Sequence, residues 1–302
     1  MWQRSACASR RPEVNQEMID GAAGKALVFG GGGVTGIAWE IGMLTGLADA
    51  GIDLSQADVL VGTSAGAVVA SQVASSKSVE ELYAAQVAPP SGEIAARMGF
   101  MATLRFVAAM AMPGNPQQAR ARLGRAAMRA RTLPEAERYE VIRSRMKDDA
   151  WPDKPRLLIT SVNAETGEFV VFDKYSGVTL ADAVAASCAV PIVWPPVTIQ
   201  GKRYIDGGVR SVANVDLARG CRSVVVIAPI IQGLRRADRP ASQLEALERE
   251  QRGVRTALLS PDPASRAAIG SNVLDPAHRA ASAQAGRAQG AAQAERIRAV
   301  WL

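Results

Sequence analysis

A chain of 302 residues that is 48% hydrophobic can bury a sizeable core, enough for one large domain with extensions. The formal charge is +6, yet aromatics are only 5% and no base-reading module is visible, which argues against nucleic acid as a partner. Cys7, Cys188 and Cys221 are odd in number and lack metal-ligand spacing, so neither a disulfide framework nor a metal site is indicated, and a reducing cytosol is the expected compartment.

The polar, uneven stretch Met1 to Asp20 has no apolar core long enough for a signal peptide, so residues 1–25 read as a tail without fixed structure, and Met18 is an alternative start to Met1. A first strand is predicted at Ala26 to Phe29. It runs into Gly30-Gly31-Gly32-Gly33-Val34-Thr35-Gly36, and a helix follows from Ile37 to Ala50, stopped by Gly51. A second strand, Asp58 to Val61, gives way at Gly62-Thr63-Ser64-Ala65-Gly66 to a small-residue helix, Ala65 to Ala74.

Residues 77–150 break this strand–helix rhythm and are where substrate choice is expected to reside. Ile94 to Met112 is apolar and Met-rich, but Arg97 and Arg105 disfavour a transmembrane helix, so the segment reads as a helical cap, with interfacial membrane contact as the second reading. Arg120, Arg122, Arg125, Arg129 and Arg131 crowd the next stretch and suit either an anionic lipid surface or a solvated helix face.

Strands are then predicted at Arg156 to Val162 and Phe169 to Phe172, joined by a hairpin tip at Glu165-Thr166-Gly167-Glu168, and further on at Val197 to Gln200 and Val224 to Ala228. Strands interleaved with helices imply an α/β fold, a three-layer α/β/α arrangement with a mostly parallel central sheet and one antiparallel margin. Past Pro229 the motifs stop: Gln243 to Arg252 is helical, Val254 to Leu259 looks like a last strand, and Ala277 to Leu302 is one alanine-rich helix or a pair. The division expected is a core at 26–230 with an insertion near 77–150, and a helical extension at 231–302 packed on the same domain or serving self-association; the oligomeric state is left open.

The glycine run and Gly62-x-Ser64-x-Gly66 are the chemistry-bearing pair. Ser64 would be a nucleophile on a sharp strand-to-helix turn, and the glycine amides would face an oxyanion. Gly31-x-Gly33-x-x-Gly36 also matches a dinucleotide fingerprint, which requires an acidic residue ending a second strand. Asp53 is the nearest, but the helix to Ala50 leaves no space for that strand.

A hydroxyl nucleophile needs a base. A triad can use only His278, the sole histidine, whose loop-like surroundings argue for a surface residue. The alternative is a carboxylate: Asp206 emerges from the apolar run Tyr204-Ile205 into Gly207-Gly208, and would serve only in an environment that shapes its acidity. An Asp-Gly turn is the plain alternative for that tripeptide.

Gly31-Gly32-Gly33-Val34-Thr35-Gly36, Gly62-Thr63-Ser64-Ala65-Gly66 and Asp206-Gly207-Gly208, with Ala186 to Val197 before the aspartate, resemble the ordered motifs of the patatin-like phospholipases. The resemblance spans roughly residues 26 to 230. It implies a lipid acyl hydrolase that needs no cofactor, in which Ser64 and Asp206 form a catalytic dyad and the Gly31, Gly32 and Gly33 amides form the oxyanion hole. Gly36, Gly62, Gly66, Gly207 and Gly208 would support the motifs. The chain departs from the pattern at Thr35, where the family usually has Arg or Lys, which leaves a catalytically weak or regulatory member as an alternative. The expected partner is an acyl lipid, met in the cytoplasm with room for peripheral contact at an anionic inner-membrane surface.

Overall fold

The computed structural model describes residues 24–89, 114–146, 149–233 and 235–302. The expected N-terminal tail up to residue 23 and the Ile94 to Met112 cap segment lie outside them. Eight strands form one sheet: β1 (Lys25–Phe29), β2 (Val59–Gly62), β3 (Arg156–Asn163), β4 (Phe169–Phe172), β5 (Val197–Ile199), β6 (Lys202–Asp206), β7 (Ser223–Ile227) and β8 (Arg255–Leu259). The order is β5-β6-β3-β2-β1-β7-β8, with β4 also paired to β3. The pairs within β3-β2-β1-β7-β8 are parallel, whereas β4 and β6 run antiparallel to β3 and β5 antiparallel to β6.

The apolar runs explain the parallel centre. Strands such as Ser223–Ile227 are buried at every residue, as a sheet covered on both faces requires. On one face lie α1 (Gly33–Asp49), α2 (Ala65–Val73), α3 (Val79–Val87) and α6 (Leu180–Ser187), whose apolar side chains join Phe29, Leu60 and Ile159 in the main core. The other face is covered by the turn Val215–Ala218 and by α7 (Pro240–Glu250), through Leu244 and Leu247. Two helices from the region expected to cap the site, α4 (Pro116–Met128) and α5 (Glu135–Arg143), pack near β3 and the β5–β6 hairpin.

β6 is the strand absent from the predicted set. Its residues read as a turn at Gly201-Lys202 and a short apolar run into a glycine pair, but Gln200 and Gly201 both take positive φ, 49° and 74°, and fold β5 back onto β6 in a two-residue hairpin. Within the arginine-rich stretch, Arg120 donates from Nε to the Gly167 carbonyl at 2.8 Å and ties α4 to the β3–β4 hairpin tip. Among the described residues no helix is long and apolar enough to cross a membrane.

The C-terminal segment is more than a helical appendage. It supplies β8, then α8 (Pro263–Ile269), α9 (Arg279–Ala292) and α10 (Ala294–Trp301). α9 lies along α1 so closely that glycines face the partner backbone from both sides: a Cβ at Gly42 or Gly46 would run into the Ala283 or Arg287 carbonyl, and one at Gly286 into that of Trp39. Gly46→Ala should therefore force the helices apart and destabilise the protein by at least about 1–3 kcal/mol, read as a lower denaturation midpoint in urea.

Candidate active site

The two motifs end adjacent parallel strands, so the turns that follow β1 and β2 meet at one rim of the sheet. Ser64 stands between β2 and α2 with φ 55° and ψ −121°, a conformation costly for any side chain but glycine. Two groups at the C-terminal end of α6 hold it there: the Ser64 amide donates to Ser187 Oγ at 2.9 Å, and Cys188 Sγ donates to the Ser64 carbonyl at 3.2 Å. Both come from the Ala186 to Val197 stretch singled out in the sequence, which gives that stretch a physical task. Gly66 is needed because a Cβ there would meet the Phe29 backbone of β1.

β6 carries Asp206 to the same rim. Asp206 is 5% exposed, its Oδ1 accepts the Gly208 amide at 2.7 Å, and the Ser64 hydroxyl is close enough to favour its ionised form. Burial pushes it up to about 6, against the opposing pull of the Ser64 hydroxyl and the Gly208 amide. Beneath the pair sits a polar cluster that the sequence did not announce: Thr160 Oγ1 donates to Thr63 Oγ1 at 2.9 Å, and Asn214 Nδ2 donates to the same Thr63 oxygen at 3.1 Å. All three residues are fully buried, and the cluster couples the serine turn to β3 and to the loop after Asp206.

The glycine turn lies against the serine, since a Cβ on Gly31 would sit 3.5 Å from that of Ser64. Its amides are not equivalent. The Gly30 amide donates to the Ile227 carbonyl at 2.9 Å and the Gly31 amide to the Val212 carbonyl at 2.7 Å. Gly31 thus departs from the expected trio, because its N–H is already engaged by the neighbouring loop. Gly32 and Gly33, at the positive end of the 17-residue helix α1, have amides with no acceptor among the described residues.

Ser64, Asp206, Gly32 and Gly33 line one cavity of about 520 Å³, a size suited to a small apolar ligand. Its walls come from Val190, Pro191 and Trp194 in the singled-out stretch after α6, and from two segments without a motif: Arg138 and Arg145 from α5 and its end, and Ser271 to Leu274 ahead of α9. Thr35 explains the last of these. Wholly buried, it offers its amide at 3.2 Å and its hydroxyl at 3.3 Å to the Val273 carbonyl, so the position where a cation was expected instead pins a C-terminal loop over the glycine turn.

His278 is elsewhere: its Nδ1 is 2.9 Å from the Ala268 carbonyl and it does not line the cavity. Asp53 is used up locally, accepting from Ser55 and Gln56 in the turn that precedes β2. Among the described residues no group of three or more His, Cys, Asp or Glu could hold a metal ion.

The fold and these turns define an α/β protein with a half-buried serine on a strand-to-helix elbow. The model of the patatin-like phospholipases matches residues 27–219, more than half of the chain, and the protein belongs to that family. Among solved structures it is similar to VipD from Legionella pneumophila, at 14% identity and a TM-score of 0.46, covering 91% of this chain and 67% of that one. The type III effector ExoU gives 17% identity and 0.38, covering 90% of this chain and 53% of that one. Human GIVD cytosolic phospholipase A2, solved with methyl gamma-linolenyl fluorophosphonate, gives 13% and 0.36, with 90% and 58% covered. The chain thus spans little more than half the length of the latter two. A search of curated protein sequences gives no match. Family membership supports activity on lipid esters.

A carboxylate held at about 6 rather than 3.8 opposes folding once it ionises. The protonated state's relative advantage is complete below the unfolded value and is lost as pH rises through about 6. Asp206→Asn should therefore be more stable than wild type at pH 8, by at most about 3 kcal/mol, with the gain vanishing below about pH 4. Thermal unfolding of both proteins across that range checks it.

Proposed function

We propose that the protein is a serine acyl hydrolase that cleaves carboxylic ester bonds of acyl lipids, such as phospholipids or lysophospholipids, through a Ser64–Asp206 dyad. The observation that carries this reading is a buried carboxylate whose ionised form the Ser64 hydroxyl favours, with both residues lining one largely apolar cavity. Ser64 Oγ attacks the ester carbonyl while Asp206 takes its proton, and the Gly32 and Gly33 amides stabilise the oxyanion. Asp206 returns the proton to the departing alcohol. Water, deprotonated by the same carboxylate, then releases the fatty acid from Ser64.

A free aspartate is a poor base, but one raised to about 6 is better matched to a hydroxyl proton near neutral pH. The glycine turn stands at a helix N-terminus, where developing negative charge is favoured and the donors are already oriented. Support against a triad comes from His278, whose ring is occupied by the Ala268 carbonyl. Access to lipid would follow from peripheral contact with an anionic membrane surface, for which the net charge of +6 is suited, on the cytoplasmic side.

A fluorophosphonate probe should label Ser64 and leave Ser64→Ala unlabelled, as mapped by peptide mass spectrometry. Asp206→Asn should lower kcat by about 10²–10⁴-fold, whereas His278→Ala should leave turnover nearly intact. In the wild type, kcat/KM should fall as pH drops through about 6, because the protonated carboxyl accepts nothing. Full activity of Asp206→Asn with loss in His278→Ala would replace the dyad by a histidine triad.

A further inference from the structure

Arg138 is an unusual wall for a cavity that receives acyl chains. It is 9% exposed, and its Nε is buried without a hydrogen-bond partner. No carboxylate among the described residues forms an ion pair with it. Its guanidinium lies 4.0 Å over the Trp194 ring, a contact that engages the face of the group. The N–H donors point outward in the guanidinium plane, so stacking leaves them in need of oxygen acceptors. Burial, together with repulsion from Arg145, lowers Arg138 to about 10, so it stays cationic at neutral pH.

Its position is set by its own helix. At the start of α5 the Glu135 carboxylate accepts the Thr198 hydroxyl at 2.9 Å, holding the helix to the β5–β6 hairpin that delivers Asp206. Just past its end, the Arg145 carbonyl accepts Gln72 Nε2 at 2.8 Å, which fixes it to α2, the helix that Ser64 opens. Cys188 lines the same cavity as these cations and the dyad, with its thiol 3.2 Å from the Ser64 carbonyl. Among the lining residues Asp206 is the one carboxylate, facing two arginines.

We propose that Arg138, with Arg145 beside it, takes the phosphate of a phosphate-bearing acyl ester whose carbonyl sits at Ser64, and so selects substrates by headgroup. The proposal rests on the acyl hydrolase reading. A phosphate offers the in-plane donors the acceptors they lack, and the planar fork suits its oxygens two at a time. The apolar remainder of the cavity takes the chain. A neutral ester of equal length would fill that remainder and leave the guanidinium desolvated and unpaired.

The test compares a short-chain monoacylglycerol phosphate with the monoacylglycerol of the same acyl chain, in wild type, Arg138→Gln and Arg138→Lys, with fluorophosphonate labelling of Ser64 reporting an assembled site in each. The wild type should favour the phosphate ester by about tenfold or more in kcat/KM, as a charge-assisted pair implies. Arg138→Gln should erase most of that preference, chiefly through KM, and Arg138→Lys should retain part of it. A wild type without preference overturns the proposal, whatever the variants do. Equal losses on both substrates in a labelled Arg138→Gln also overturn it, making Arg138 a packing residue while the hydrolase reading stands. Should Arg138→Gln fail to label, a preference that Arg138→Lys retains in part supports a charge-reading site and a proportional loss on both esters overturns it. Millimolar inorganic phosphate that alters monoacylglycerol turnover would assign the cations to a free anion instead. No Ser64 label and no turnover of either ester in wild type would sink the hydrolase reading itself, and this proposal with it.

Discussion

Everything at the rim of this sheet is arranged around one carboxylate kept from water. Asp206 keeps a glycine amide as a hydrogen-bond donor and the Ser64 hydroxyl nearby, and burial holds it at about 6. That environment is what gives an otherwise weak base a proton affinity useful near neutral pH. It also explains why the strand bearing Asp206 must be anchored firmly: β6 pairs with β3 on one edge and β5 on the other, and the Asp206 amide donates to Ala189.

The serine side of the contact is held by strain balanced against packing. A positive φ at Ser64 persists because its amide and carbonyl are both engaged by the residues that end α6, and because Gly66 lets α2 close onto β1. α1, whose N-terminus carries the free amides, is in turn seated by the glycine seam with α9 and by the Thr35 bonds to Val273. The C-terminal segment therefore bears on the site although it lies beyond the family's matched region at 219.

How much of this could be read from the chain depends on the range of the interactions involved. Strands β1, β4 and β7 stand within about a residue of their predicted runs, since a continuous apolar stretch bounded by turn residues is a local signal. The serine turn was legible for the same reason. β6 was not, because Lys202 to Asp206 has little apolar length and becomes a strand through its partners. Gly31 looked equivalent to Gly32 until the Val212 carbonyl, far along the chain, came to meet its amide. Arg138 sat unnoticed among the many arginines of α4 and α5, and only burial against Trp194 distinguishes it from a solvated helix face. Thr35 read as a departure from a motif, and its use as a tether to the Val273 loop is a tertiary fact with no local trace.

The account stands or falls on the acidity of one side chain. Carboxyl titration of Asp206, followed by carbon NMR or infrared difference spectra with Asp206→Asn as the blank, should give an apparent value of about 6 in the wild type and a higher one in Ser64→Ala, where the hydroxyl that favours the ionised form is gone. A value near 3.8, unmoved by removal of the serine, would mean a hydrated carboxylate out of touch with Ser64 and would contradict the account.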